Sequence, residues 1–484
     1  MVSKKIGSGL LVLIGLLMVL SFASHFYISL QKAAAQRKLQ KSYAQESFTP
    51  EELKEDLVYF QSLMERVHPN EIPSFPLGDL QPALTDLIDT IDQPLTHLEF
   101  YQIFAPVANL LNDEHVMVFP AEHDLMGRYE AGGRFFPFDV QFIGNNLYIS
   151  QNLSDETKIQ AGMEIISINN IPAEELRTTL MTYYSGTRDA QKTFYLQEHF
   201  REALFLIYGF GDNFELVVRD SATEATSSYV VSGKAFLSPE QEEFYYEVIA
   251  PDTILFTYNA FEDKNGAFKD FLKDMFKEAQ KQNIQHLIID IRSNQGGAAV
   301  YGDGIFAYLT AEPFIQFSLV EVTISEEVKA SFIENAPPFI RWFPIQNFHP
   351  MLKPLWMGEN GETASITIDP IAAGENKYHF AGDVYLLVGP GTMSSASLFA
   401  ATMQKYSLGV LIGGDAGGYA TPYGNVVDAH LPNTGLKVWM PTSVIYGNST
   451  GLIVPDHVVT QTVPNLIEQR DTVLEFVQEL VRSK

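Results

Sequence analysis

Leu287-Ile-Ile-Asp-Ile-Arg-Ser-Asn-Gln-Gly-Gly297 opens as a run of β-branched and apolar residues and closes in polar residues and two glycines. Such a run reads as a buried strand, and the glycines allow a turn whose backbone N–H groups can approach a ligand closely. In α/β folds ligands gather at the C-terminal ends of strands. A second segment repeats the logic: Val384-Tyr-Leu-Leu-Val388 is a buried strand, and Gly389-Pro-Gly-Thr-Met-Ser-Ser-Ala-Ser-Leu-Phe-Ala400 turns from it into a helix. Hydroxyls sit where that helix begins. A serine there is either an ordinary N-cap or a nucleophile close to N–H groups that favour a developing oxyanion.

Around these segments strands and helices alternate. Thr253-Ile-Leu-Phe-Thr-Tyr258 and Val410-Leu-Ile412 read as further strands, and Phe268, Leu272, Met275, Phe276 and Ala279 share one helix face. The pattern predicts an α/β core with a largely parallel sheet over 239–484. Within it, about 305–380 is aromatic and proline-rich without clean periodicity, and reads as a cap over the site. Residues 129–238 read as β-rich, with a hairpin around Gly144-Asn-Asn146. There Ile159-Gln-Ala-Gly-Met-Glu-Ile-Ile-Ser-Ile-Asn-Asn-Ile-Pro172 resembles the strand–turn element of PDZ-like domains. Residues 48–128 read as a helical region that starts at Thr49-Pro-Glu-Glu52, with Thr as N-cap and Pro at the first helical position.

The 484 residues call for two or three domains. A formal net charge of −27 weighs against nucleic-acid binding, which needs clustered Lys and Arg, and no nucleic-acid partner is expected. With no cysteine, the chain has neither disulfides nor thiolate nucleophiles. No histidine spacing suggests a metal site, and no cofactor is expected. Lys4 and Lys5 precede an apolar run from Ile6 to Ala23, extended by Phe26 to Leu30. Residues 1–47 therefore read as a membrane anchor or signal segment plus linker, with the remainder outside the cytoplasm, in the bacterial periplasm or at the cell surface.

Together the two glycine-rich segments resemble the C-terminal processing (tail-specific) serine peptidases. Asp290-Ile-Arg-Ser-Asn-Gln-Gly-Gly297 is similar to the family's "DLRxNxGG" turn, and Thr392-Met-Ser-Ser-Ala-Ser-Leu-Phe-Ala400 to its nucleophile segment. Leu431-Pro-Asn-Thr-Gly-Leu-Lys-Val438, Leu452-Ile-Val-Pro-Asp-His-Val-Val459 and Asp471-Thr-Val-Leu-Glu475 follow in the family's order. The resemblance spans roughly 130–480. It implies a crotonase-like α/β serine peptidase core beside a PDZ-like domain that captures a polypeptide C-terminus in a strand-addition groove. It assigns the nucleophile to Ser394, or to Ser395 in a register shifted by one. In the first register Ser395 supplies one oxyanion N–H, and Gly296 or Gly297 the other.

Two departures matter. Where many members carry a lysine base, 25 residues after the nucleophile, this chain has Tyr419, and the family's following glutamate is Ser397. A serine hydroxyl needs a base at neutral pH. Leu110-Leu-Asn-Asp-Glu-His-Val-Met-Val118 resembles the segment that supplies a histidine base in lysine-less members, which points to His115. His123 is the reserve, and His430 and His457 are weaker candidates. The residue that orients the imidazole is unassigned, with Asp456 and Ser449 as guesses. Two other readings stand beside the peptidase acting on polypeptides: an inactive, membrane-anchored pseudopeptidase, and a hydrolase or binder of small apolar ligands. The sequence leaves the oligomeric state open.

Overall fold

The computed structural model describes residues 47–69, 79–236, 242–335, 352–372, 374, 376–420, 422–448 and 451–483. The apolar run at 6–30 and Ser449 lie outside the described residues. Among those described, no helix is long and apolar enough to cross a membrane.

Helix α1 (Pro50–Val67) begins where its signals place it. Thr49 Oγ1 accepts from the Glu52 N–H at 3.3 Å and the Thr49 N–H donates to Glu52 Oε2 at 2.9 Å, a reciprocal capping box. Its apolar face buries Leu53, Leu57, Phe60, Leu63 and Val67, and His68 is its C-cap. Helix α2 (His97–Ala108) repeats the device with Thr96 and Glu99. A single 3₁₀ turn, Asn109–Leu111, follows and stops at Asn112, which is left-handed at φ 50°. That reversal throws Asp113, Glu114 and His115 away from the helix axis. The chain is fixed again two residues later, because Met117 and Val118 pair with Trp439 and Val438.

The β-rich part is a six-stranded sheet built from residues 138–232. Its hairpin, Phe138–Ile143 with Asn146–Asn152, is the one expected. Helix α3 (Asp189–Glu198) lies against this sheet and also reaches the core.

The core sheet runs in the order β1 (Phe244–Ala250), β2 (Thr253–Tyr258), β3 (His286–Asp290), β4 (Asp383–Val388), β5 (Val410–Gly413) and β6 (His457–Val458). All neighbours pair in parallel except β1 with β2. Leu287, Ile289, Leu386, Val388 and Leu411 face helices α4 (Phe268–Gln282) and α5 (Ser395–Lys405). Ile288, Tyr385, Leu387 and Ile412 face the C-terminal helix Thr472–Arg482 through Val473 and Val477. Burial on both faces is why these strands read as unbroken apolar runs.

The segment at 305–380 differs from its reading as an aperiodic cap. Its strands Phe317–Thr323 and Thr363–Thr367 extend a second sheet, pairing with each other and, through the first, with Lys437–Gly447. The strands are short, and most of their residues are only half-buried or exposed, which leaves little apolar periodicity to read.

Candidate active site

The site forms where two turns meet at the C-terminal ends of β3 and β4. In the first turn Asn294, fully buried, donates from Nδ2 to the Tyr258 carbonyl at 2.9 Å and accepts the Gly296 N–H on Oδ1 at 2.9 Å. In the second, Thr392 Oγ1 donates to the Ile291 carbonyl at 2.9 Å and accepts the Gly389 N–H at 3.1 Å. The Met393 N–H donates to the Asn294 carbonyl at 3.1 Å, which locks one turn to the other. Gly296 has φ 103°, and a Cβ there would sit 2.8 Å from Ser394 Cβ, so only glycine allows this approach.

Ser394 stands at the N-cap of α5 with φ 51° and ψ −125°, a strained conformation for a residue with a side chain. Its hydroxyl makes no capping bond. It lies 3.1 Å from His115 Nε2 instead. The structure thus brings together two residues 279 positions apart in sequence. Ser395, the alternative, is buried with its Oγ unpartnered. The oxyanion expectation narrows. The Gly296 N–H is engaged by Asn294, whereas Gly297, at φ 131°, hydrogen-bonds Phe261 only through its flanking residues. This leaves the N–H groups of Gly297 and Ser395 as the candidate pair.

The remaining sequence candidates are engaged elsewhere. His123 packs edge-on against His97 at 4.8 Å, and His430 Nδ1 contacts the Gly435 carbonyl at 3.1 Å. His457 lies against Phe476. Asp456 accepts the Leu411 N–H at 2.8 Å and is not the orienting residue. Tyr419 bridges to Leu452.

Residues beside His115 were the ones sequence reasoning missed. Its Nδ1 lies 3.6 Å from Asp113 Oδ1 and 3.9 Å from Glu114 Oε1. Burial pulls the imidazole pKa down, but the Asp113 and Glu114 carboxylates more than offset this and hold it above 6.5. Burial also opposes ionisation of Asp113, yet contacts with His115 and His68 bring its carboxyl down to about 2. Glu114 is pushed up by burial, and Gln191 Nε2 of α3 donates to its Oε2 at 2.5 Å. Two adjacent acids before the histidine were visible in Asp113-Glu-His115. What the sequence could not show was the turn that folds them back on the ring.

The arrangement defines a class: a strand-end serine, held by two interlocked turns and contacted by a histidine, in a largely parallel α/β core. The family model of Peptidase family S41 matches residues 253–452, which span β2 to β5, both turns and the second-sheet strands. This match supports the expected resemblance to the C-terminal processing serine peptidases over that part of the chain, and the fold is the mixed α/β one expected, with a crotonase-like core. Among solved structures, a serine-to-alanine variant of CPAF is 14% identical, with 87% of this chain and 95% of that one covered and a TM-score of 0.66. Mature CPAF is 14% identical, covering 89% and 96%, with a TM-score of 0.61. Its complex with lactacystin is 13% identical, covering 89% and 97%, with a TM-score of 0.61. At such identity the likeness concerns the fold alone. The sequence has no match among curated proteins.

Proposed function

We propose that this serine peptidase cleaves polypeptides through an acyl-enzyme on Ser394, with His115 as base. The observation that carries the reading is the 3.1 Å contact between His115 Nε2 and Ser394 Oγ. His115 takes the hydroxyl proton as Oγ bonds to the peptide carbonyl carbon, and the N–H groups of Gly297 and Ser395 hold the oxyanion. The proton passes to the leaving nitrogen as the C–N bond breaks. Water, deprotonated by the same imidazole, then bonds to the acyl carbon, and the imidazolium returns that proton to Ser394 Oγ as the ester bond breaks. A base other than lysine removes the main ground for an inactive pseudopeptidase. The strands within 305–380 weaken the case for a small-ligand cap.

In this reading the chain comprises an anchor or signal segment with linker (1–47), a helical region carrying the base (48–128), a PDZ-like unit (129–238) and the peptidase core (239–484). The PDZ-like unit captures C-termini by strand addition, which requires displacing Gln197 Oε1 from the Phe142 N–H on the edge strand, now 3.2 Å away. The apolar run at 6–30 supports action outside the cytoplasm. A reporter that fluoresces only in the cytoplasm, fused after Lys484, should stay dark, and a bright fusion refutes export.

A fluorophosphonate probe tests the chemistry, since only an activated serine reacts. The folded wild type should be labelled at Ser394, and Ser394→Ala should not react. Absence of label on folded wild-type protein refutes the proposal.

A further inference from the structure

Asp113 is fully buried and each of its oxygens has an assigned neighbour. Oδ1 accepts the His115 backbone N–H at 2.8 Å and faces His115 Nδ1 at 3.6 Å. Oδ2 lies 3.0 Å from Nε2 of His68, the C-cap of α1, whose side chain is 4% exposed. The Asp113 carbonyl accepts from Ser185 Oγ at 2.6 Å. His115 Nδ1 is buried and has no hydrogen-bond partner, and at 3.6 Å Asp113 is an ion-pair contact, short of a hydrogen bond. Catalytic hydrogen bonds are commonly long in unliganded sites and tighten when substrate binds.

We propose that Asp113 is the carboxylate that orients His115, and that His68 positions Asp113, giving a relay His68–Asp113–His115–Ser394. The inference deepens the Ser394–His115 reading and rests on it. An anionic carboxylate beside Nδ1 favours the tautomer protonated there, which leaves the Nε2 lone pair facing the Ser394 hydroxyl. It also stabilises the imidazolium formed when that proton is taken. Glu114 is the rival. Its Oε1 stands farther from Nδ1, at 3.9 Å against 3.6 Å for Asp113, and its Oε2 accepts from Gln191. Its carboxyl is pushed up by burial, whereas contacts with His115 and His68 hold that of Asp113 down. His68 matters because a buried carboxylate is costly unless its lone pairs are filled. The Nε2 contact fixes Oδ2, so the carboxylate cannot rotate away from the ring. The other titratable groups facing this chain are Tyr423, against the His68 ring at 5.0 Å and near Asp113, and Tyr195 of α3, near Glu114.

The test is the rate of fluorophosphonate labelling of the full chain between pH 5 and 9, with thermal melting to confirm folding. Asp113→Asn should slow labelling by about 100-fold or more and move the acid limb of the profile to lower pH. Glu114→Gln should cost far less. His68→Ala should slow labelling about 10-fold, and His68→Gln, which keeps a donor to Oδ2, should recover most of it. If Asp113→Asn does not fold, the His68 pair decides: equal loss in both variants overturns the relay. Labelling by folded Asp113→Asn at the wild-type rate and pH profile also overturns it, as does loss confined to Glu114→Gln. A wild type that is never labelled refutes the peptidase reading itself, and the relay with it.

Discussion

Ser394 holds its unusual backbone without any capping bond from its side chain, so removing the hydroxyl should cost the fold little. Ser394→Ala should abolish peptide hydrolysis while shifting stability by less than about 1 kcal/mol, read from denaturant midpoints. Ser395→Ala should be mild, because the role proposed for it uses only its N–H. If their effects on hydrolysis are reversed, the nucleophile is one residue later. The pH profile follows from His115. A base must be neutral to act, and the two carboxylates hold this imidazole above 6.5. Activity should therefore fall as pH drops through a midpoint above 6.5, and a midpoint below it would show that the carboxylates do not govern the ring. Stability has its own sign. The Asp113 carboxyl lies at about 2 in the fold against an ordinary 3.8, so its contribution is present above 3.8 and is lost as pH falls toward 2. Acid unfolding over that range should be steeper in wild type than in Asp113→Asn.

At the scale of elements, much of the motif resembling the family's signature is structural. Arg292 lies between Asp290 and Asp471, donating to Asp471 Oδ1 at 2.9 Å and Oδ2 at 2.7 Å. Asp471 in turn caps the C-terminal helix by accepting from Val473 and Leu474. Arg292→Ala should lose the fork and leave two acids facing each other, costing roughly 2 kcal/mol. A double-mutant cycle with Asp471→Asn should show strong non-additivity, and additive losses would mean that the fork carries no coupling. Asp56 does similar work for α1. Buried on that helix, it accepts from the N–H groups of Asn433 and Thr434 at 2.7 and 2.8 Å, tying the helix that ends in His68 to the turn of the second sheet. Helix starts at Thr49 and the strands of the core were legible because caps and apolar runs are local. The strands at 317–323 and 363–367 were not, because their partners lie far away in sequence.

Across the whole molecule, the β-rich part forms one wall of the site. Arg188 Nη1 donates to the Ala416 carbonyl at 2.6 Å and Nη2 to Asp415 Oδ2 at 3.0 Å. Gln191 lies between Glu114 and Met393 Sδ, and Phe194 lies against Gly391. Arg188→Glu should push this wall off the nucleophile turn and slow labelling roughly 10-fold, equivalent to about 1.4 kcal/mol. The melting temperature should change little, because each unit has its own core. An unchanged rate would mean that the wall does not influence the serine.

The sequence by itself determined the parallel core, the two glycine turns, the serine at the head of α5 and the helical start at Thr49. Each depends on residues within one or two turns of chain, where periodicity, capping and glycine freedom act. It also singled out His115 by resemblance. Only the tertiary structure decided that His115 reaches Ser394, that Gly297 and not Gly296 has its N–H free, and that Asp113 and His68 stand behind the imidazole. The His115–Ser394 and His68–Asp113 contacts join residues 279 and 45 positions apart, and the Asn294 that engages Gly296 is itself held by the Tyr258 carbonyl, 36 positions away. Such contacts are fixed by the packing of sheets and helices, and no local pattern encodes them.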